Sequence, residues 1–111
     1  MATGTYYDGS GNHGFLRNLA GTFVTFDVPE ALGTYPIGIN EAGAVTGYYY
    51  SPNYPYPSHG FLRISTGVFL KFDPPASANT FPTGINSDTV VGVYLDATNV
   101  YHGFLRLPGG A

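Results

Sequence analysis

The sequence predicts an all-β fold made of β-propeller blades of about four antiparallel strands each, and three observations carry that prediction. The pentapeptide His-Gly-Phe-Leu-Arg occurs at 13–17, 59–63 and 102–106, in steps of 46 and 43 residues. Repeats of this length belong to propellers and solenoids, in which a unit buries its apolar face only against a neighbour. Between the pentapeptides lie short aromatic and β-branched runs, and no window shows a capped helical period. Other landmarks keep the same step. The segment 34–40, Thr-Tyr-Pro-Ile-Gly-Ile-Asn, matches 80–86, and Gly-x-Tyr recurs at 4–6, 47–49 and 92–94.

Taken along the chain, each landmark reads as a strand or a turn. The first Gly-x-Tyr strand leads into Asp8-Gly9-Ser10-Gly11-Asn12, a hairpin turn before Gly14-Phe15-Leu16-Arg17. Thr22-Phe23-Val24-Thr25-Phe26 follows as a short strand ending at Asp27. The Gly-Ile before Asn40 is a short inner strand, and Glu41-Ala42-Gly43 turns the chain into the strand 44–50. The central Gly47 of that strand marks a bulge or a close backbone approach. The second pentapeptide, the strand 68–72, the inner strand before Asn86, the turn 87–89 and the strand 89–95 repeat the sequence of events.

Ten strands at four to a blade amount to about two and a half units. We expect one repeat array, with a partial unit over 1–27, a full unit over 28–73 and a partial unit over 74–111. A propeller needs at least four blades to close, and an open stack would expose apolar faces and strand edges. A homo-oligomer is therefore expected, a dimer completing five blades or a trimer six, with closed cyclic symmetry. The chain opens partway through a repeat, which leaves open whether it is a segment of a longer protein.

Composition narrows the function classes. Four basic against seven acidic residues give a net charge of −3, which offers no electrostatic footprint for nucleic acid. Apolar runs are only a few residues long, so no membrane insertion is expected, and no signal peptide is recognisable. Cysteine is absent, which excludes disulfides and thiolate metal sites. Charged residues make up 10 % of the chain, below the roughly 25 % of ordinary domains, and ten tyrosines help fill the gap. A tyrosine-rich surface suits contact with sugars or neighbouring protein.

The repeated polar residues read as structural. His13, His59 and His102 would have to converge to bind a metal, whereas one imidazole per unit fits a bond within its own blade. Arg17, Arg63 and Arg106 have the copy pattern to pair with repeated acids, and Asp27 and Asp73 are the expected partners. Asn40 and Asn86 are expected to cap their turns through side chain to backbone bonds. Asp8, Ser10 and Asn12 alternate as in a calcium loop, but the sixth position is His13 and no Glu closes the loop. Asp96, Thr98 and Asn99 do not keep that spacing. No nucleophile–base–acid order stands out, and among Glu30, Glu41, Asp88 and Asp96 nothing singles out a hydrolytic pair. No catalytic residue, metal site or cofactor is therefore expected. The segment that breaks the repeat is 48–58, with five tyrosines and three prolines. Stiff aromatics lose little entropy on binding, so Tyr49, Tyr50, Asn53, Tyr54 and Tyr56 are the candidate ligand or partner contacts.

The ordered landmarks His-Gly-Phe-Leu-Arg, Gly-x-Phe, Phe-Asp-x-Pro, Thr-x-Pro-x-Gly-Ile-Asn and Gly-x-Tyr resemble the HAF repeats of bacterial, mostly predicted extracellular proteins. Gly14, Gly60 and Gly103 stand where that family's name has Ala, and 87–89 lacks the turn glycine that Gly43 supplies in the first full unit. The resemblance implies a β-propeller-like protein, secreted or on the cell surface, and carries no catalytic residues across. The expected function is a non-enzymatic structural or binding scaffold that self-assembles into a ring. The alternative is a lectin-like protein that binds glycans through the tyrosine loops.

Overall fold

A computed structural model describes residues 1–53 and 55–107, and among these every regular element is a strand. The strands are β1 (Ala2–Tyr7), β2 (Asn12–Arg17), β3 (Phe23–Phe26), β4 (Gly33–Ile39) and β5 (Val45–Tyr50). They continue with β6 (Ser58–Arg63), β7 (Phe69–Phe72), β8 (Ser77–Asn86), β9 (Thr89–Asp96) and β10 (Tyr101–Arg106). All pairings are antiparallel between chain neighbours, forming three sheets ordered β1-β2-β3, β4-β5-β6-β7 and β8-β9-β10. Ten strands are thus divided three, four and three. The expected partial units are separate sheets, so a chain supplies three sheets where strand arithmetic suggested two and a half blades.

Equivalent landmarks adopt one register. Gly4 faces Phe15, Gly47 faces Phe61 and Gly92 faces Phe104 across their strand pairs. The central glycine is a site of close approach. A Cβ at Gly47 would collide with the Tyr35 carbonyl oxygen and the Pro36 Cα, and one at Gly92 would stand 2.7 Å from the Pro82 Cα and 2.8 Å from the Phe104 ring. The bulge lies across the ladder instead, where the register shifts between Pro36 and Gly38 and between Pro82 and Gly84. Proline has no N–H for the ladder, so it sits on the edge strands β4 and β8.

The sheets stack face to face in chain order through β4 and β8. Between the first and second sheets, Leu16, Phe26, Val28, Val45, Tyr49 and Phe61 form one buried cluster. Between the second and third, Ala44, Leu62 and Val90 form another, flanked by Ile85, Phe72 and Phe104. Alternation along β6 explains this: Phe61 points to the first sheet and Leu62 to the third. Polar bonds tie the same joints. Asn12 Nδ2 donates to the Tyr35 hydroxyl over 2.9 Å, and Ser58 Oγ donates to the Thr80 carbonyl over 3.0 Å.

Candidate functional site

Each histidine is held inside its own sheet. His13, His59 and His102 pack against Tyr6, Tyr49 and Tyr94, the residues opposite them in the ladder, with ring centroids 5.2, 5.3 and 4.9 Å apart, the first two pairs tilted and the third stacked. The Nδ1 atoms of His13 and His59 bond Asp27 at 2.7 Å and Asp73 at 2.8 Å. These are the two acids expected to meet arginines, so that expectation is corrected: the carboxylates follow the strand ends β3 and β7 onto the imidazoles. Among the described residues no cluster of three His, Cys, Asp or Glu side chains could hold a metal ion.

The arginines stack on phenylalanines instead. Arg63 lies 5.0 Å over the Phe26 ring of the preceding sheet, and Arg106 lies 5.1 Å over Phe72 of its preceding sheet. Arg17, in the first described sheet, lies 6.0 Å over Phe23 of its own sheet. Guanidinium planes suit such stacking because they are weakly hydrated and delocalised.

The first hairpin builds the densest polar cluster. His13 Nε2 is 2.9 Å from Asp8 Oδ1 and 3.0 Å from Ser10 Oγ, while Nδ1 faces Asp27. Ser10, His13 and Asp27 therefore stand in the order of a hydrolase triad, an arrangement not visible in the sequence because its acid is fourteen residues downstream, just past the end of β3. Asp8 changes the chemistry. Bonds from Asp27 and Asp8 raise the His13 pKa above its ordinary value, and Ser10 donates its hydroxyl to Asp8 over 2.7 Å. Bonds from the Ser10 side chain and backbone, and then from His13, hold the Asp8 carboxyl down to about 2. With a carboxylate oxygen against each imidazole nitrogen and the Ser10 hydroxyl directed to Asp8, the cluster has the contacts of a hydrogen-bonded clasp between the hairpin and the end of β3.

The turn ahead of β10 uses its acid similarly. Asp96 Oδ1 accepts from Thr98 Oγ1, Thr98 N and Val100 N, and Oδ2 bonds His102 Nε2 at 2.7 Å. Those bonds, the Thr98 hydroxyl foremost, lower the Asp96 pKa well below the usual carboxylate range. Both acidic turns thus bond their carboxylates internally. Asn40 caps its turn as expected, accepting from Ala44 N at 2.8 Å, and its Nδ2 also reaches the Ser87 carbonyl of the next sheet at 2.6 Å. Asn86 stands exposed at the end of β8. Between these turns lies a cleft of about 530 Å³ that includes Glu41 and Asp88, two of the four acids considered for hydrolysis. Glu30 sits apart, in the exposed β3–β4 connection, where its φ is 67°.

The candidate tyrosine contacts separate. Tyr49 is buried at 8 % exposure in the first core cluster, with Lys71 Nζ 5.4 Å above its ring. Tyr50 joins a half-buried aromatic cluster with Tyr35 and Tyr48, and Phe81 of the third sheet meets Tyr48 edge-on at 5.3 Å. Asn53 and Tyr56 are exposed on one turn, in which Tyr56 N donates to the Asn53 carbonyl over 2.7 Å. Tyr54 lies outside the described residues. Sequence spacing did not foresee the Tyr35–Tyr48 stack, whose members come from neighbouring strands. Comparison with protein-family models, curated proteins and solved structures gives no significant match.

Proposed function

We propose that this chain is a non-enzymatic β-propeller-type repeat module, a structural and binding scaffold that closes a ring with another copy of itself. One leucine, taken in its three copies, carries the reading. Leu16 and Leu62 are 7 % and 6 % exposed because a following sheet covers them, whereas Leu105 is 57 % exposed. The opposite end is open too: Phe23 is 62 % exposed, while its counterpart Phe69 is half-buried against the first sheet. The end faces are therefore copies of the two halves of each internal joint, and a head-to-tail contact would bury both. Since a chain carries three sheets, two chains supply six, within the usual four to eight blades, and three supply nine. That favours the dimer, with six blades in place of the five expected from strand counting. A surface or secreted setting remains part of the proposal on the strength of the repeat resemblance.

Sedimentation across a wide concentration range tests this reading. A discrete dimer, converted to monomer by Leu105→Asp or Phe23→Ser, is expected. A folded wild-type monomer at every concentration would sink it.

A second reading, glycan binding, draws on the exposed turn that carries Asn53 and Tyr56 beside the Tyr50 cluster. Sugar rings stack on such surfaces at little entropic cost. A glycan array probed with wild-type and Tyr56→Ala protein decides it: hits that weaken in the variant support binding there, and a flat array from an intact assembly removes it.

A further inference from the structure

Charge is divided between the two ends of the stack. Asp8, Asp27, Asp73 and Asp96 all bond histidines, near the ends where β2, β6 and β10 begin. Arg17, Arg63 and Arg106 close the same three strands, and among the described residues they make no hydrogen bond or ion pair. Arg63 is half-buried at the joint between the first and second sheets, and its Nε is shut off from solvent without a partner. A charged N–H taken out of water with no acceptor is costly, and a bound anion would offset it. The stack on Phe26 occupies one face of the guanidinium and leaves its N–H edge unused. Beside it lies a cavity of about 240 Å³ that includes Leu16, Asn18 and Val24 of the first sheet and Gly43 and Ser65 of the second. Asn18 Oδ1 accepts from Ala20 N and Thr22 N at 3.0 Å each, which commits the oxygen to its own turn and leaves Nδ2 as a donor. The Ser65 hydroxyl is uncommitted.

We propose that this cavity is a carboxylate-binding site, with the guanidinium edge of Arg63 gripping the anion and Asn18 Nδ2 and the Ser65 hydroxyl donating beside it. Paired N–H groups match the two oxygens of a carboxylate, and Leu16 and Val24 give its carbon skeleton an apolar wall. The ligand carries one negative charge at this point rather than two. The chain is itself at −3, and Glu41 and Asp88 lie in the turns at the same end, so a phosphate dianion meets more repulsion than a carboxylate. The second joint repeats the central element: Arg106 stacks 5.1 Å over Phe72 and is equally without an acid. A ligand with carboxylates along its length can therefore engage both joints and gain by multivalency. Both joints lie inside one chain, a strand's length from the turn that carries Asn53 and Tyr56. The site accordingly depends neither on ring closure nor on glycan binding at that turn.

The test titrates the intact chain with sodium acetate and with tetragalacturonate, chloride holding the ionic strength constant. Nuclear magnetic resonance follows the Arg63 Nε–Hε signal and the backbone amides of Asn18 and Ser65. Acetate should shift all three and saturate in the millimolar range. Tetragalacturonate that binds more tightly per carboxylate and also moves the Arg106 Nε–Hε signal assigns the site to an acidic polymer; equal affinity per carboxylate assigns it to a small free acid. Asn18→Asp keeps the oxygen that caps the turn and sets a negative charge in the cavity, so the melting temperature should hold while affinity falls at least about tenfold. Arg63→Gln should abolish the shifts, and Arg63→Lys, which keeps the charge but not the fork, should restore only part of the affinity. Unmoved Arg63, Asn18 and Ser65 signals would overturn the proposal. Equal binding by wild type and Asn18→Asp would do the same, as would phosphate binding more tightly than acetate.

Discussion

The second and third sheets carry the same landmarks in the same register, yet one is sealed and the other open. Leu62 and Thr46 in the second sheet are 6 % and 0 % exposed, whereas their counterparts Leu105 and Val91 in the third are 57 % and 43 % exposed. The cause is position. The second sheet has a neighbour on each face and a fourth strand, and the third has one neighbour and three strands. Identical side chains can therefore be core in one place and interface in another, and their energetic weight follows from what covers them.

The sharpest way to break this comparison is at the paired glycines. Gly47→Val drives a side chain into the β4 backbone at Tyr35 and Pro36, and should cost about 3 kcal/mol or more, with loss of the cooperative urea transition. Gly103→Val should stay within about 0.5 kcal/mol of wild type by the same measurement. Next come the leucines. Leu62→Ala should lower stability by about 2–4 kcal/mol, and Leu105→Ala by less than about 1 kcal/mol in the monomer. A Leu105→Ala cost that grows with protein concentration would show that its face is covered in solution.

A smaller effect separates the arginines. Arg63→Ala should cost about 1 kcal/mol through its stack on Phe26, and the exposed Arg17→Ala less, both read as shifts in the urea midpoint. The subtlest is pH. His13 has its pKa raised, so its ion pairs stabilise fully below its unfolded value of about 6.5 and fade as pH rises through the folded one. Asp8, held down to about 2, stabilises above its unfolded value near 3.8 and loses that effect as pH falls towards 2. The first hairpin should thus be most protected between about pH 4 and 6.5, measured by hydrogen exchange of the β1–β2 amides corrected for intrinsic rates. His13→Gln should remove the decline at the alkaline side.

Much of the strand plan was legible because its signals are local. Aromatic and β-branched runs such as 22–26 and 68–72 became β3 and β7, and Gly47 and Gly92 proved to be close approaches. Partnership was less legible. Asp27 pairs with His13 rather than Arg17 because antiparallel pairing sets Phe26 opposite Gly14, bringing the next residue beside the imidazole. Arg63 finds Phe26 because the two meet only across the joint between sheets. Tyr49 looked like a loop contact, but alternation along β5 turns it inward while Tyr48 and Tyr50 turn the other way.

Period, strand type and turn position were written in the order of residues, since each depends on neighbours a few positions away. Which copies of a repeated side chain are buried was decided only by stacking. Leu16, Leu62 and Leu105 sit in the same pentapeptide, and only the arrival of a following sheet removes the first two from water.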